Sequence, residues 1–334
     1  MNKNNLIFGT GFNENPKRFS KIKLINSINY CLKKNINFFD TADNYFDGEI
    51  QKIIGKFNYN KNIKIINKFK LLNDKKKLNE NLENSLRNLK TECIDFYMPH
   101  WPTFNMSLNL LSDFAEENLE KKRIKFFGLS NFNLEMIKKF KKIYKKKLFI
   151  QNEINLCNFY YNKELINYCK QNNIDVFAYK ISDNFFLEKK MQYLKNYYSD
   201  YEISLMWIKT LNVSPIIKSL NLINLKKNIK VYNGTKKINL NHKNNYISIP
   251  IDKINKISSG SNVVYKSLIE AKKNKKNLYP SPLDISKEIK KYGLLKPFFV
   301  KKNQNGYELL SGQARFWAYL ILKKRNYFKA ILVK

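Results

Sequence analysis

The stretch Phe38-Phe39-Asp40-Thr41-Ala42-Asp43-Asn44-Tyr45 (FFDTADNY) reads as the end of a buried strand whose carboxyl edge carries an acid and then a phenol. Two further stretches repeat the arrangement. IKIINKF (63–69) brings Lys68 to the end of an apolar run, and DFYMPHWP (95–102) brings His100 just past the end of another. Working outward, strand-like segments fall at 6–9, 36–40, 63–67, 94–99, 124–128, 148–151, 174–178 and 213–217. Between them, apolar residues recur at helical spacing, as in 20–34, 78–89, 133–145 and 200–211. Eight strand-then-helix repeats predict an α/β chain whose first part, 1–231, is a (β/α)8 TIM barrel, with functional groups gathered at the carboxyl ends of its strands.

Asp40, Tyr45, Lys68 and His100 together form a device for delivering a proton. A free tyrosine titrates near pH ~10 and is a weak acid at neutrality. A neighbouring ammonium is expected to lower that pKa by stabilising the phenolate, while the carboxylate holds the ammonium in place. The imidazole one strand over is placed to orient an acceptor such as a carbonyl oxygen. Each residue alone also fits a structural role: a buried ion pair, a core aromatic, a satisfied histidine. The set favours function, because the chain has only two histidines and one falls at this position.

Composition narrows the classes. The formal net charge is +35, yet only Arg18, Arg87, Arg123, Arg315 and Arg325 are arginines. The lysine excess comes with many asparagines, isoleucines, tyrosines and phenylalanines, the profile of A- and T-rich codons. Base readout and bidentate phosphate grips use arginine, so the profile argues against sequence-selective nucleic-acid binding. No apolar run approaches the ~18–20 residues of a membrane span. The start, MNKNNLIFGTGF, has no signal-peptide apolar region, and Cys31, Cys93, Cys157 and Cys169 show no metal-ligand spacing. These features predict a cytoplasmic protein without a bound metal.

The barrel segment resembles the aldo-keto reductases from about residue 6 to 229. The resemblance is carried by Gly9-Thr10-Gly11, by Asp40-Thr41-Ala42 with Tyr45, Gly48, Glu49 and Gly55, by Lys68, and by His100-Trp101-Pro102. GLSNF (128–132), IQNE (150–153) and AYK (178–180) follow in family order. The family implies NADP as cofactor, with NAD as the alternative, and reduction of a carbonyl with Tyr45 as proton donor. It assigns Ser130, Asn131 and Gln151 to the nicotinamide carboxamide and Tyr179 to stacking on its ring. Lys218 and Ser219 are assigned to the phosphate of the adenosine end, and Asn228 to adenine. Asn224 stands where the family often has an arginine for the 2′-phosphate. Phe46, Trp101 and Phe104 are expected substrate walls, and the lysine-rich loop 181–198 suggests an anionic substrate such as a sugar or sugar nucleotide.

Composition changes near residue 230, and 232–245 (YNGTKKINLNHKNN) reads as a linker. The remainder, 246–334, reads as a small α+β domain and looks like the ParB amino-terminal fold shared with sulfiredoxin. That likeness rests on the Ile-Pro-Ile-Asp opening, on Gly293 and Pro297 before a strand, and on Gly312-x-x-Arg315 entering a helix, a possible phosphate turn. Phe316, Gln313 and Ala314 stand where family members that act on nucleotides or thiols carry other groups. Redox repair and chromosome partition are therefore disfavoured, leaving nucleotide binding or a docking role. Two other readings of the whole chain follow: a cofactor-binding sensor with little turnover, and a ParB-like nucleotide- or nucleic-acid-binding regulator.

Overall fold

The computed structural model describes residues 5–12, 19–58, 63–182, 189–238, 246–258, 265–275, 280–293, 297–322 and 327–333. They fall into two compact units, the second made mostly of Asn241–Lys334.

In the first unit β1 (Ile7–Gly9), β2 (Phe38–Ala42), β3 (Lys64–Phe69), β4 (Ile94–Pro99), β5 (Ile124–Ser130), β6 (Leu148–Glu153), β7 (Asp175–Tyr179) and β8 (Ser214–Ile217) close into a parallel barrel in chain order. Ile7 stands opposite both Phe38 and Ile216, which seals the ring. The helices are α1 (Lys21–Lys33), α2 (Glu49–Asn58), α3 (Lys75–Leu89), α4 (Leu108–Glu120), α5 (Leu134–Ile143), α6 (Phe159–Gln171), α7 (Asp200–Ile208) and α8 (Leu222–Asn233). The strand ends differ from the sequence reading by at most two residues. Helix starts are set locally: Ser20, Asp74, Ser107, Asn133, Ser199 and Asn221 each accept a backbone N–H of the first turn. Such caps satisfy donors that a helix leaves unpaired, typically worth ~1 kcal/mol each.

The interior follows from period-two alternation along each strand. Ile7, Ile66, Phe96, Met98, Phe149, Phe177 and Ile216 form a cluster inside the ring, with Phe38, Phe126 and Tyr179 packed against it. Phe96 stacks on Phe126 at 5.1 Å between ring centroids and meets Phe149 and Phe177 edge-on. Gly128 makes the filling possible, because a Cβ there would come 2.5 Å from the Phe149 ring. Stepping two residues on from these core positions reaches the mouth of the barrel on the same face: Gly9, Asp40, Lys68, His100, Ser130 (four on from Phe126), Gln151, Tyr179 and Lys218. An aromatic plug therefore floors a polar mouth.

α8 runs to Asn233, so the polar segment expected as a linker from 232 begins as helix; 239–245 lie outside the described residues. The second unit contains β9 (Tyr246–Pro250), β10 (Ile254–Ile257), α9 (Leu268–Lys272), α10 (Pro282–Tyr292), β11 (Phe298–Asn303), β12 (Gly306–Ser311), α11 (Gln313–Leu322) and β13 (Tyr327–Val333). Its strands make one mixed sheet in the order β10-β12-β11-β13-β9. Phe298, Val300, Leu309, Phe316, Trp317 and Phe328 lie in its core. This is the α+β architecture expected. Gly312 has φ +105°, and Arg315 donates from Nη1 to the Pro297 carbonyl at 2.7 Å with its guanidinium 5.5 Å over the Phe298 ring. That arginine ties the helix start to β11.

No helix among the described residues is long and apolar enough to cross a membrane.

Candidate active site

Asp40 and Lys68 point into the barrel mouth from β2 and β3, where Asp40 pairs in register with Ile66, two residues before Lys68. Lys68 Nζ lies 2.6 Å from Asp40 Oδ1, and the two residues are only 2% and 4% exposed. Burial alone would discharge Lys68, but Asp40 and Tyr45 more than offset it, so its pKa lies above the ordinary lysine value. The amine stays an ammonium.

Tyr45 opens a short 3-10 turn, Tyr45–Gly48, that follows β2. Phe46, Asp47 and Gly48 have φ of +48°, +49° and +82°. Two non-glycine residues in this region mark a turn held by its surroundings against local preference. The turn aims the Tyr45 ring back over the mouth, with Lys68 Nζ 5.2 Å from its centroid and His100 edge-on at 5.8 Å. The sequence suggested a lowered phenol pKa. The structure corrects this: burial pushes Tyr45 above its ordinary value, and Lys68, by charge and hydrogen bond, only partly pulls it back. The phenol therefore holds its proton at neutrality. The Lys68 ammonium beside it is placed to favour a phenolate over a phenol.

His100 is fixed through its backbone, which donates to the Phe69 carbonyl at 2.8 Å and accepts from Asn131 Nδ2 at 2.9 Å. Asn131, in the left-handed region at φ +66°, is a hub. Its amide also reaches Ser130 Oγ, and its Oδ1 accepts from the Tyr179 hydroxyl at 2.5 Å. That bond clamps the Tyr179 ring beside the mouth.

These residues line a cavity of about 330 Å³ shared by Gly11, Asp40, Tyr45, Lys68, His100, Trp101, Ser130, Asn131, Gln151, Tyr179 and Lys218. Phe46 and Phe104, expected as walls, are not among its lining residues; Phe46 packs instead on Phe19 at 4.3 Å. Ser219 and Asn228 do not line it either. Ser219 Oγ donates to the Asn221 carbonyl, and Asn228 is buried in α8. Of the loop 181–198, Ile181 and Ser182 reach the cavity, and 183–188 lie outside the described residues.

Gln151 tests the fit of a nicotinamide. Its Oε1 is buried and has no hydrogen-bond partner among the described residues. A buried acceptor left unpaired costs ~1–3 kcal/mol, and a carboxamide N–H would satisfy it. At the other side of the mouth, Lys218 Nζ donates to the Gly11 carbonyl at 2.7 Å. Desolvation lowers its pKa, Asp40 opposes this, and Lys180 adds to it. Lys180, at the same opening, is held 3.4 Å from Glu153 Oε1, and the Lys218 ammonium suits an anionic group.

The aldo/keto reductase family model matches residues 5–202, more than half of the chain. The chain belongs to the aldo/keto reductase family. It is 29% identical over 168 residues to aldo-keto reductase YhdN of Bacillus subtilis (strain 168), covering 46% of this chain and 50% of that protein. It is 24% identical over 180 residues to NADPH-dependent codeinone reductase 1-2 of Papaver somniferum, covering 46% and 56%. The chain thus spans about half the length of the curated relatives it matches. The crystal structure of thermostable aldo-keto reductase Tm1743 with the inhibitor epalrestat superposes with a TM-score of 0.61 at 24% identity, over 68% of this chain and 88% of that one. At that identity the likeness speaks for the barrel fold. The family match ends at residue 202, before the sheet of the second unit, and gives no support to a ParB-like fold there.

Five lining residues escaped the sequence reading as pocket residues: Gly9, Gly11, Lys180, Tyr201 and Ile216. Gly11 was legible by alternation, lying two residues beyond Gly9. Lys180 stands at φ +48° just past β7, and Tyr201 arrives from α7, so neither had a signal in strand periodicity.

Proposed function

We propose that this chain reduces a small-molecule carbonyl to an alcohol with NADPH, with Tyr45 as the proton donor. The carrying observation is the buried Asp40–Lys68 pair beneath Tyr45, facing His100 across one cavity. NADPH bound in the mouth supplies the hydride.

The chain's own residues do the rest. Gln151, Ser130 and Asn131 have the donors and acceptors to hold a carboxamide, and Tyr179, fixed by Asn131, offers a flat face to a ring. His100 orients the carbonyl oxygen toward the Tyr45 hydroxyl, which gives up its proton as charge develops on that oxygen. Lys68 stabilises the resulting phenolate, and Asp40 holds Lys68 in place. General acid help of this kind is worth ~10²–10⁴ in rate. Lys218, with Ser219, is the cation for the adenosine-end phosphate, and Asn228 would meet the adenine. The NADPH dependence of the Papaver somniferum codeinone reductase supports NADP as cofactor. Trp101, stacked on His100 at 6.4 Å, gives the substrate site an apolar side. The lysine-rich loop 181–198 is the ground for an anionic substrate such as a phosphorylated sugar or sugar nucleotide.

For 246–334 we propose a docking or regulatory role on a ParB-like frame. Arg315 is engaged with Pro297 and Phe298, which supports a structural use of the Gly312–Arg315 turn over a phosphate cradle. Absorbance of reduced nicotinamide, followed across aldehydes, ketones and sugars with each cofactor, tests the activity. No turnover above background with any of them would refute it.

A further inference from the structure

The opposite, amino-terminal end of the barrel carries a second cavity, of about 480 Å³, among the starts of β6, β7 and β8. Its rim holds Lys141, Lys145, Lys146, Lys147 and Lys170, against a single carboxylate, Asp175. Asp175 is already committed, with its Oδ2 3.3 Å from Lys147 Nζ. Leu148, Ile174 and Val213 give the cavity apolar walls.

The ordinary explanation for lysines here is that α5, α6 and α7 all end nearby, and cations suit helix carboxyl ends. Three such ends contribute about half an elementary negative charge each. That matches fewer than two of the five ammoniums, and Asp175 matches one more. A positive surplus remains inside a concave surface, where field lines concentrate. The crowding has a visible cost: desolvation and the charge of Lys145 hold the Lys141 pKa below the ordinary lysine value. Lys141 Nζ meanwhile donates to the Lys146 carbonyl at 2.9 Å, which fixes one ammonium at the rim. The volume lies within the ~300–1,000 Å³ of small-ligand pockets.

We propose that this cavity binds a phosphate-bearing small molecule, with the lysines taking the phosphate and the apolar walls taking the body. The site lies at the end of the barrel away from the proposed cofactor mouth and stands independently of the reductase reading.

Calorimetric titration of the full chain with inorganic pyrophosphate and with phenyl phosphate, at about 0.15 M salt where charges are screened beyond ~8 Å, tests it. Saturable binding is expected. Lys145→Glu with Lys170→Glu should weaken it by roughly tenfold or more, while the exposed pair Lys23→Glu with Lys76→Glu should leave it within about twofold. Absence of saturable binding at that salt, or equal weakening by the two pairs, would overturn the proposal. Should circular dichroism show the first pair misfolded, Lys145→Met with Lys170→Met replaces it and carries the same expectation. NADP binding, measured in parallel, should be unchanged by the cavity variants.

Discussion

Gly11 and Tyr45 compete for one space: a Cβ on Gly11 would stand 2.6 Å from the Tyr45 hydroxyl oxygen and 2.7 Å from the carbon that bears it. The Gly11 carbonyl is fixed by Lys218, so the β1 loop does not simply retreat. Gly11→Ala should therefore displace the phenol rather than the loop. We expect kcat to fall by on the order of 10–100-fold, with the NADP dissociation constant far less affected. Steady-state kinetics beside a binding titration check this, and an unchanged kcat would show that the hydroxyl is not held there.

The Asp40–Lys68 pair predicts a stability effect separable from activity. Lys68→Met strands a buried carboxylate, which typically costs about 3–5 kcal/mol. Adding Asp40→Leu removes the stranded charge and should recover most of that loss without recovering turnover. Urea denaturation of the single and double variants measures it. A single variant as stable as the parent would mean the pair is better hydrated than its burial indicates.

Gln151 carries an acceptor with no partner among the described residues. Gln151→Leu should leave the cofactor-free protein at least as stable, because a buried unsatisfied group is replaced by an apolar one. The same change should weaken nicotinamide-nucleotide binding by roughly tenfold. Loss of stability together with unaltered cofactor affinity would assign Gln151 to packing alone.

In the second unit, burial and then the neighbouring Asp284 push the Glu288 carboxyl up to about 7 from a usual 4.5. A folded-state pKa above the unfolded one means stability is full below pH 4.5 and is lost as pH rises through 7. Glu288→Gln should thus stabilise the protein at pH 8, by about 1–3 kcal/mol, and have little effect at pH 4. Chemical denaturation at both pH values decides it, and an equal effect at the two would rule out titration of this group as the cause.

The barrel was legible because its signals are local and repeated. Each strand is a short apolar run, and several helices open on a Ser, Asp or Asn whose cap is visible in sequence. Asp40 and Lys68 were legible because each falls at the carboxyl end of a short apolar strand, and Gln151 through the family resemblance of IQNE (150–153). What escaped depends on geometry that spacing does not encode. The raised Tyr45 pKa is set by how deeply a strained turn buries the ring, and the turning away of Phe46 toward Phe19 by the left-handed φ at Phe46 and Asp47. In the second unit, β10 and the short helix α9 have few residues to show a period, and neither was read.

The most direct test replaces one atom. Tyr45→Phe keeps the ring over Lys68 and removes the hydroxyl. With a carbonyl substrate found in the screen, oxidation of NADPH should slow by about 10²–10⁴-fold while quenching of protein fluorescence shows the cofactor still bound. Turnover at the parent rate in that variant would contradict the assignment of Tyr45 as the proton donor.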